Sequence, residues 1–128
     1  MKFDKICAVF ALFFLVTFCV SCTNATIPAD LPKIYNAEYT PYDIKGERGY
    51  EIYFELDPSE YEPVSVTYNK IRMPLSQENN VGTLYRVNVI AQSLLLNDYR
   101  PLASKEENGI TFKKGMNTFH LPVKFKMK

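Results

Sequence analysis

The sequence predicts an antiparallel β-sandwich of about seven strands for residues 33–128, immunoglobulin-like in arrangement, with a small closed β-barrel as the alternative. Three observations point there. Short stretches alternate apolar and polar residues with period two, and turn residues recur about every eight to fifteen positions. Nine Tyr and nine Phe are spread among many Val, Ile and Thr, residues that suit a pleated, half-buried surface. The chain has no Trp, so the Cys–Trp–Cys signature of antibody domains is absent.

Taken in order, Lys33–Thr40 reads as a weak first strand and Gly46-Glu47-Arg48-Gly49 as a turn. In Tyr50–Leu56, Tyr50, Ile52, Phe54 and Leu56 share a core face, and Pro58 ends the run. Val64, Val66 and Tyr68 alternate with Ser65 and Thr67; Asn69-Lys70 then separates them from Ile71, Met73 and Leu75, which predicts a hairpin. Ser76–Gly82 is a polar loop. Leu84–Gln92 is a longer strand, with Tyr85, Val87, Val89 and Ala91 inward and Arg86, Asn88 and Gln92 wet. Ser93-Leu94-Leu95-Leu96-Asn97 reads either as a buried strand or as one helical turn. Tyr99–Asn108 is loop, and Ile110-Thr111-Phe112 follows the Asn108-Gly109 turn. Asn117–Lys126 alternates throughout, with Phe119, Leu121, Val123 and Phe125 on one face. Pro122 in its middle and the lysines beside it mark an edge strand or a bulge.

Ahead of this domain, Lys2 and Lys5 precede an apolar run from Ile6 to Val20, closed by Ser21-Cys22. A run of about 15 residues is short of the roughly 20 that span a bilayer, and no basic stop-transfer cluster follows. The order of charged head, apolar middle and small residue is that of a secretory signal. Cleavage between Ser21 and Cys22 would leave Cys22 as the new N-terminal residue, with its side-chain thiol as the acylation site. Residues 1–21 are then the signal peptide, 22–32 the lipidated cysteine with a Pro-containing tether, and 33–128 the domain. Ordinary signal cleavage near the same point would instead give a secreted protein, and Asn24-Ala25-Thr26 would accept a glycan in a eukaryotic chain.

The cysteines are Cys7, Cys19 and Cys22, so the domain itself holds no thiol, no disulfide framework and no Cys-ligated zinc. About 107 residues follow the cleavage point, enough for one domain with a core of its own. Setting aside Lys2, Lys5 and Asp4 leaves 13 of 15 basic and 13 of 14 acidic residues, a neutral balance that argues against nucleic acid as a partner.

Candidate chemistry is sparse. His120 is the only histidine and is expected on the solvent side of the last strand, a metal ligand only if carboxylates converge on it. Glu51 and Glu55 share a strand face about 13 Å apart, too far for a glycosidase pair. Asp57, Glu60 and Glu62 could supply oxygen ligands to calcium but lack the loop spacing that does so. No phosphate loop, nucleophile elbow or zincin helix occurs, so no catalysis, metal or cofactor is expected. The surplus is tyrosine: Tyr35, Tyr39, Tyr42, Tyr53, Tyr61 and Tyr99 fall near loops or on polar faces, where aromatics serve binding surfaces.

The Cys19–Cys22 ending, the Pro-containing tether and the Gly-x-x-Gly-Tyr-x-Ile-x-Phe run at Gly46–Phe54 resemble a bacterial lipoprotein, similar to small lipoproteins of the Bacteroidota type. The resemblance brings no activity with it. It implies an envelope protein held by its N-terminal lipid in the outer membrane and facing the periplasm, since Thr23-Asn24-Ala25-Thr26, just after Cys22, carries no acidic residue. The expected function is a non-catalytic binding or accessory module that docks an envelope protein along the C-terminal edge, with Lys124 and Lys126 as its contacts. A glycan-binding or enzyme-inhibitor module that reads its ligand with Tyr-bearing loops is the alternative.

Overall fold

The computed structural model describes residues 27–128. Its strands are β1 (Ile34–Ile44), β2 (Glu47–Leu56), β3 (Glu62–Tyr68), β4 (Ile71–Pro74), β5 (Asn80–Val81), β6 (Leu84–Ser93), β7 (Leu102–Ala103), β8 (Gly109–Lys114), β9 (Asn117–Pro122) and β10 (Lys126–Met127). Seven of them have four residues or more, and β5, β7 and β10 are two-residue pairings that trim the sheet edges. The only helical element among the described residues is a 3-10 turn at Gln77–Asn79.

Two five-stranded sheets result, in the order β10-β1-β2-β6-β5 and β7-β4-β3-β8-β9. Every pairing is antiparallel except β10 on β1. This is a sandwich-like stack with four separate edges, so the closed barrel does not form. The C-terminal run shows why. The single strand expected over Asn117–Lys126 is two: β9 stops at Pro122, which has no N–H for the ladder. The chain then crosses from the second sheet to the first, held by Val123 N–H to Asn108 O (2.8 Å) and Lys128 N–H to Tyr39 O (3.0 Å).

The inward faces meet in a core of Ile52, Phe54, Leu56, Tyr61, Val66, Val87, Val89, Ile110 and Phe112. The alternating faces of β2 and β6 supply most of it, as the period-two pattern requires. Phe54 and Phe112 are the largest fully buried side chains, each contributing about 1.5–3 kcal/mol of apolar transfer. Val64, Leu121 and Val123 stay half-buried. The Gly46–Gly49 turn is shorter than expected: only Lys45-Gly46 turn, and β2 starts at Glu47.

Ser93–Asn97 is neither a buried strand nor a helical turn. Ala91 bulges out of β6, Ser93 takes the buried position, and Leu94, Leu95 and Leu96 project at 75%, 69% and 52% exposure. They sit past the end of β6, where no opposing layer is left to cover them.

The outer face of the second sheet is also covered. From β7, at the β4 edge, the segment 104–108 crosses over β3 and β8 to His120 on β9 before entering β8. Ser65 and Thr67, outward on β3, are fully buried. Ser65 Oγ accepts from Arg72 Nε at 3.3 Å, whereas Thr67 Oγ1 has no hydrogen-bond partner. At Gly109 a Cβ would lie 2.2 Å from Leu121 O and 3.0 Å from His120 Nε2, so only glycine lets this segment close onto the sheet.

Candidate functional site

The sandwich has two unlike poles. β1 enters at Ile34, beside Leu56, and leaves at Ile44, beside Glu47, about 35 Å away for its eleven residues. At the entry pole, Asp30 pairs with Lys114 (2.7 Å), Lys114 also reaches Glu60 (3.1 Å), and Ser59 Oγ–H donates to Asp30 O. The Lys114 ammonium holds the Asp30 carboxyl below its ordinary pKa, and the two carboxylates raise that of Lys114.

About halfway along β1, at the Asn69-Lys70 end of the second sheet, lies a broad concavity of about 1100 Å³, lined by Tyr39, Tyr50, Tyr68 and Phe125 with a rim that includes Lys70, Lys105, Asn108 and Lys124. Four chain segments converge here. Tyr39 lies on β1 and Tyr50 on β2; Tyr68 ends β3, and Phe125 sits in the crossover between the sheets. Tyr68 is central: its ring centroid is 4.7 Å from that of Tyr50, 5.0 Å from Tyr39 and 5.9 Å from Phe125, in tilted or edge-on geometry that the ring quadrupoles favour. All four rings are half-buried. Burial, then the neighbouring Tyr39 phenol, pushes the Tyr68 hydroxyl up to about 12.

The rim is pre-organised. The Asn69-Lys70 hairpin turn has both residues left-handed (φ 49° and 62°), as a type I′ turn demands. Asn69 tolerates this, while Lys70 stands where glycine is preferred. Asn69 N–H donates to Asn108 Oδ1 (2.9 Å), and Asn69 Nδ2 donates to the Tyr50 hydroxyl (3.0 Å). These two bonds tie Asn69, Asn108 and Tyr50 together at the rim.

His120 stands behind this rim. Its side chain is only 14% exposed, not the solvent-facing residue expected. Nε2 lies 2.7 Å from Glu107 O; Nδ1 lies 2.9 Å from Thr111 Oγ1 and 2.9 Å from Glu106 Oε2. A carboxylate does reach the histidine, but it meets the hydroxyl on the same ring nitrogen. A nucleophile–base–orienter relay needs them on opposite nitrogens, and here the other nitrogen is occupied by a backbone carbonyl. The arrangement clamps the 104–108 segment to β9.

The remaining candidates are dispersed. Asp57 accepts from the Tyr35 hydroxyl (2.9 Å) and raises its pKa; Glu60 turns to Lys114, and Glu62 is exposed. Among the described residues no group of three or more His, Cys, Asp or Glu converges as a metal site would. Glu51 is paired with Arg86 at 3.0 Å. A smaller hollow of about 450 Å³ on the first sheet includes Tyr53. Arg86 and Lys128 already lie 5.6 and 4.6 Å from that ring's centroid, so it offers less free aromatic surface. Lys124 and Lys126 are exposed: Lys124 lines the aromatic cleft, and Lys126 pairs with Glu38 on the β10 edge. Ser21 and Cys22 lie outside the described residues.

Sequence reasoning singled out Tyr39 but not the cleft, because Tyr50 and Tyr68 read as core-face residues. Their position at the strand ends, next to turn residues, was the available signal. The chain matches no protein-family model, no curated protein and no solved structure.

Proposed function

We propose that this protein is a non-catalytic binding module, tethered through a lipid on Cys22 to a bacterial outer membrane facing the periplasm, and that it meets its ligand in the aromatic cleft. The observation that carries this is polarity. The N-terminal segment joins the sandwich at Ile34, and the tyrosine-lined cleft opens about 17 Å further along β1, at Tyr39, beside the Asn69-Lys70 end of the second sheet. A tether at the entry pole leaves that end of the second sheet open to whatever approaches. The strand order supports an immunoglobulin-like reading of the scaffold: β1-β2-β6-β5 corresponds to an A-B-E-D sheet, and β4-β3-β8-β9 to C′-C-F-G.

The second reading is docking of an acidic envelope protein along the C-terminal edge, favoured by β9 and β10 lying at sheet edges with Lys124 and Lys126 exposed. Photocrosslinking of the full chain in its native envelope separates the two. A photoreactive residue at Lys105, on the cleft rim, is expected to give saturable adducts that excess untagged protein competes away. One at Met116, 99% exposed at the tether pole, is expected to give none. Equal labelling from both positions contradicts the cleft reading. Adducts that survive Tyr50→Ala but vanish with Lys126→Glu favour the edge. Intact mass of the membrane-extracted protein tests the anchor, with an acylated Cys22 as the expected N-terminus.

A further inference from the structure

We infer that the ligand of the cleft is an oligosaccharide, with a pyranose ring seated against the Tyr39, Tyr50, Tyr68 and Phe125 cluster. The inference rests on the cleft being the ligand face and adds the chemical class.

The lining has the two parts that a sugar needs. A pyranose has a face of C–H groups and a perimeter of hydroxyls. The electron-rich faces of aromatic rings, where they remain uncovered in a partly buried cluster, attract the C–H face. The perimeter needs donors and acceptors in fixed places, which the Asn69 amide, the Tyr50 phenol and the Asn108 amide supply as one hydrogen-bonded chain beside the rings. Lys70, Lys105 and Lys124 add donors at the rim. A purely apolar ligand would bury these groups without partners, whereas hydroxyls donate and accept alike.

Size and charge narrow the class further. About 1100 Å³ is at the upper end of small-molecule pockets, room for several sugar units. Rim lysines are interspersed with Glu106 and Glu107, and Glu106 is committed to His120. Such a rim has no strong single-sign field to select a polyanion or a polycation.

A peptide added as a strand fits less well. At the cleft, β1 is already covered on its outer side: Glu38 and Tyr39 pair with Lys126 and Met127, and Tyr39 O accepts from Lys128 N–H. The ladder groups of Glu38 and Tyr39 are therefore taken, and Pro41, next along β1 in the cleft lining, has no N–H to offer an added strand.

The test uses the full chain, extracted in a detergent without a sugar headgroup, and tetrasaccharides of glucose, N-acetylglucosamine, mannose and galacturonic acid as probes. Calorimetry measures binding, and NMR follows the Asn69 and Asn108 side-chain amides, which needs no substitution. At least one tetrasaccharide is expected to bind and to shift both amides. Tyr50→Ala is expected to weaken it at least about tenfold, and Tyr53→Ala, in the other hollow, less than about twofold. If none of the four binds at about 10 mM, or if the shifts map to the Tyr53 hollow, the saccharide assignment is overturned. Cleft-selective crosslinks to a protein in that case would leave the cleft reading standing and replace the ligand class.

Discussion

Two neighbours on β3 should respond to hydroxyl removal with opposite signs. Ser65 and Thr67 are both fully buried on the outer face of the second sheet, beneath the 104–108 segment. Thr67 Oγ1 has no hydrogen-bond partner, so folding strips a hydroxyl of water without return, at about 1–3 kcal/mol. Thr67→Val keeps the β-branched shape, removes that cost and adds one buried methyl worth about 0.8 kcal/mol. The expected result is stabilisation of about 2–4 kcal/mol, a rise in Tm of roughly 4–8 °C per kcal/mol for a domain of this size. Ser65 Oγ instead accepts from Arg72 Nε at 3.3 Å. Ser65→Ala leaves the Arg72 guanidinium without that acceptor and should cost about 1 kcal/mol. Urea denaturation of both variants, read by circular dichroism, gives the two signs directly. A Thr67→Val variant less stable than the parent by more than about 0.5 kcal/mol would show that the hydroxyl is satisfied, and the packing assigned to the 104–108 segment would be wrong.

Alkaline pH should destabilise the fold. Burial raises the phenol pKa of Tyr42, Tyr68, Tyr85 and Tyr99, with the Glu47 carboxylate adding to that of Tyr42. Folded phenols then keep protons that unfolded ones release at about 10. Stability from this source is complete below about pH 10 and is lost as pH rises towards about 12. Urea midpoints measured alongside tyrosinate absorbance check it, and a midpoint that rises with alkali would contradict it. His120→Ala should free the 104–108 segment, costing about 1–2 kcal/mol for two lost hydrogen bonds, one part-buried and one exposed. Limited trypsinolysis at Lys105, faster in the variant than in the parent, is the readout. Lys70→Gly should relieve a left-handed backbone (φ 62°) and stabilise by up to about 1 kcal/mol, measured by thermal melting.

What the sequence discloses follows the range of the interactions involved. The β2 alternation could be read directly because one face is buried along the whole strand, from Ile52 through Phe54 to Leu56. The β3–β4 hairpin could be read because Asn69 takes a left-handed turn conformation more readily than most residues. The C-terminal run hid its change of sheet: Phe119 to Phe125 keeps one period across the crossover, and only Pro122 marks the break. Leu94–Leu96 misled because apolarity signals burial only where another layer exists to pack on. The cleft needs Tyr39, Tyr50, Tyr68 and Phe125 together, and their meeting depends on pairings between distant strands that no local pattern encodes. The His120 clamp was hidden for the same reason, since Glu106 and Thr111 reach it only once β8 and β9 have paired.

The proposal that the aromatic cleft is the occupied face of a tethered domain can be tested without knowing the ligand. Hydroxyl-radical footprinting, read by mass spectrometry, would compare tyrosine oxidation in the native envelope with that of the detergent-extracted full chain. Tyr39, Tyr50 and Tyr68 are expected to be protected in the envelope, while Tyr35 and Tyr53, outside the cleft, react equally in both. Equal oxidation of the three cleft tyrosines in the two states, or protection confined to Tyr35 and Tyr53, would contradict it.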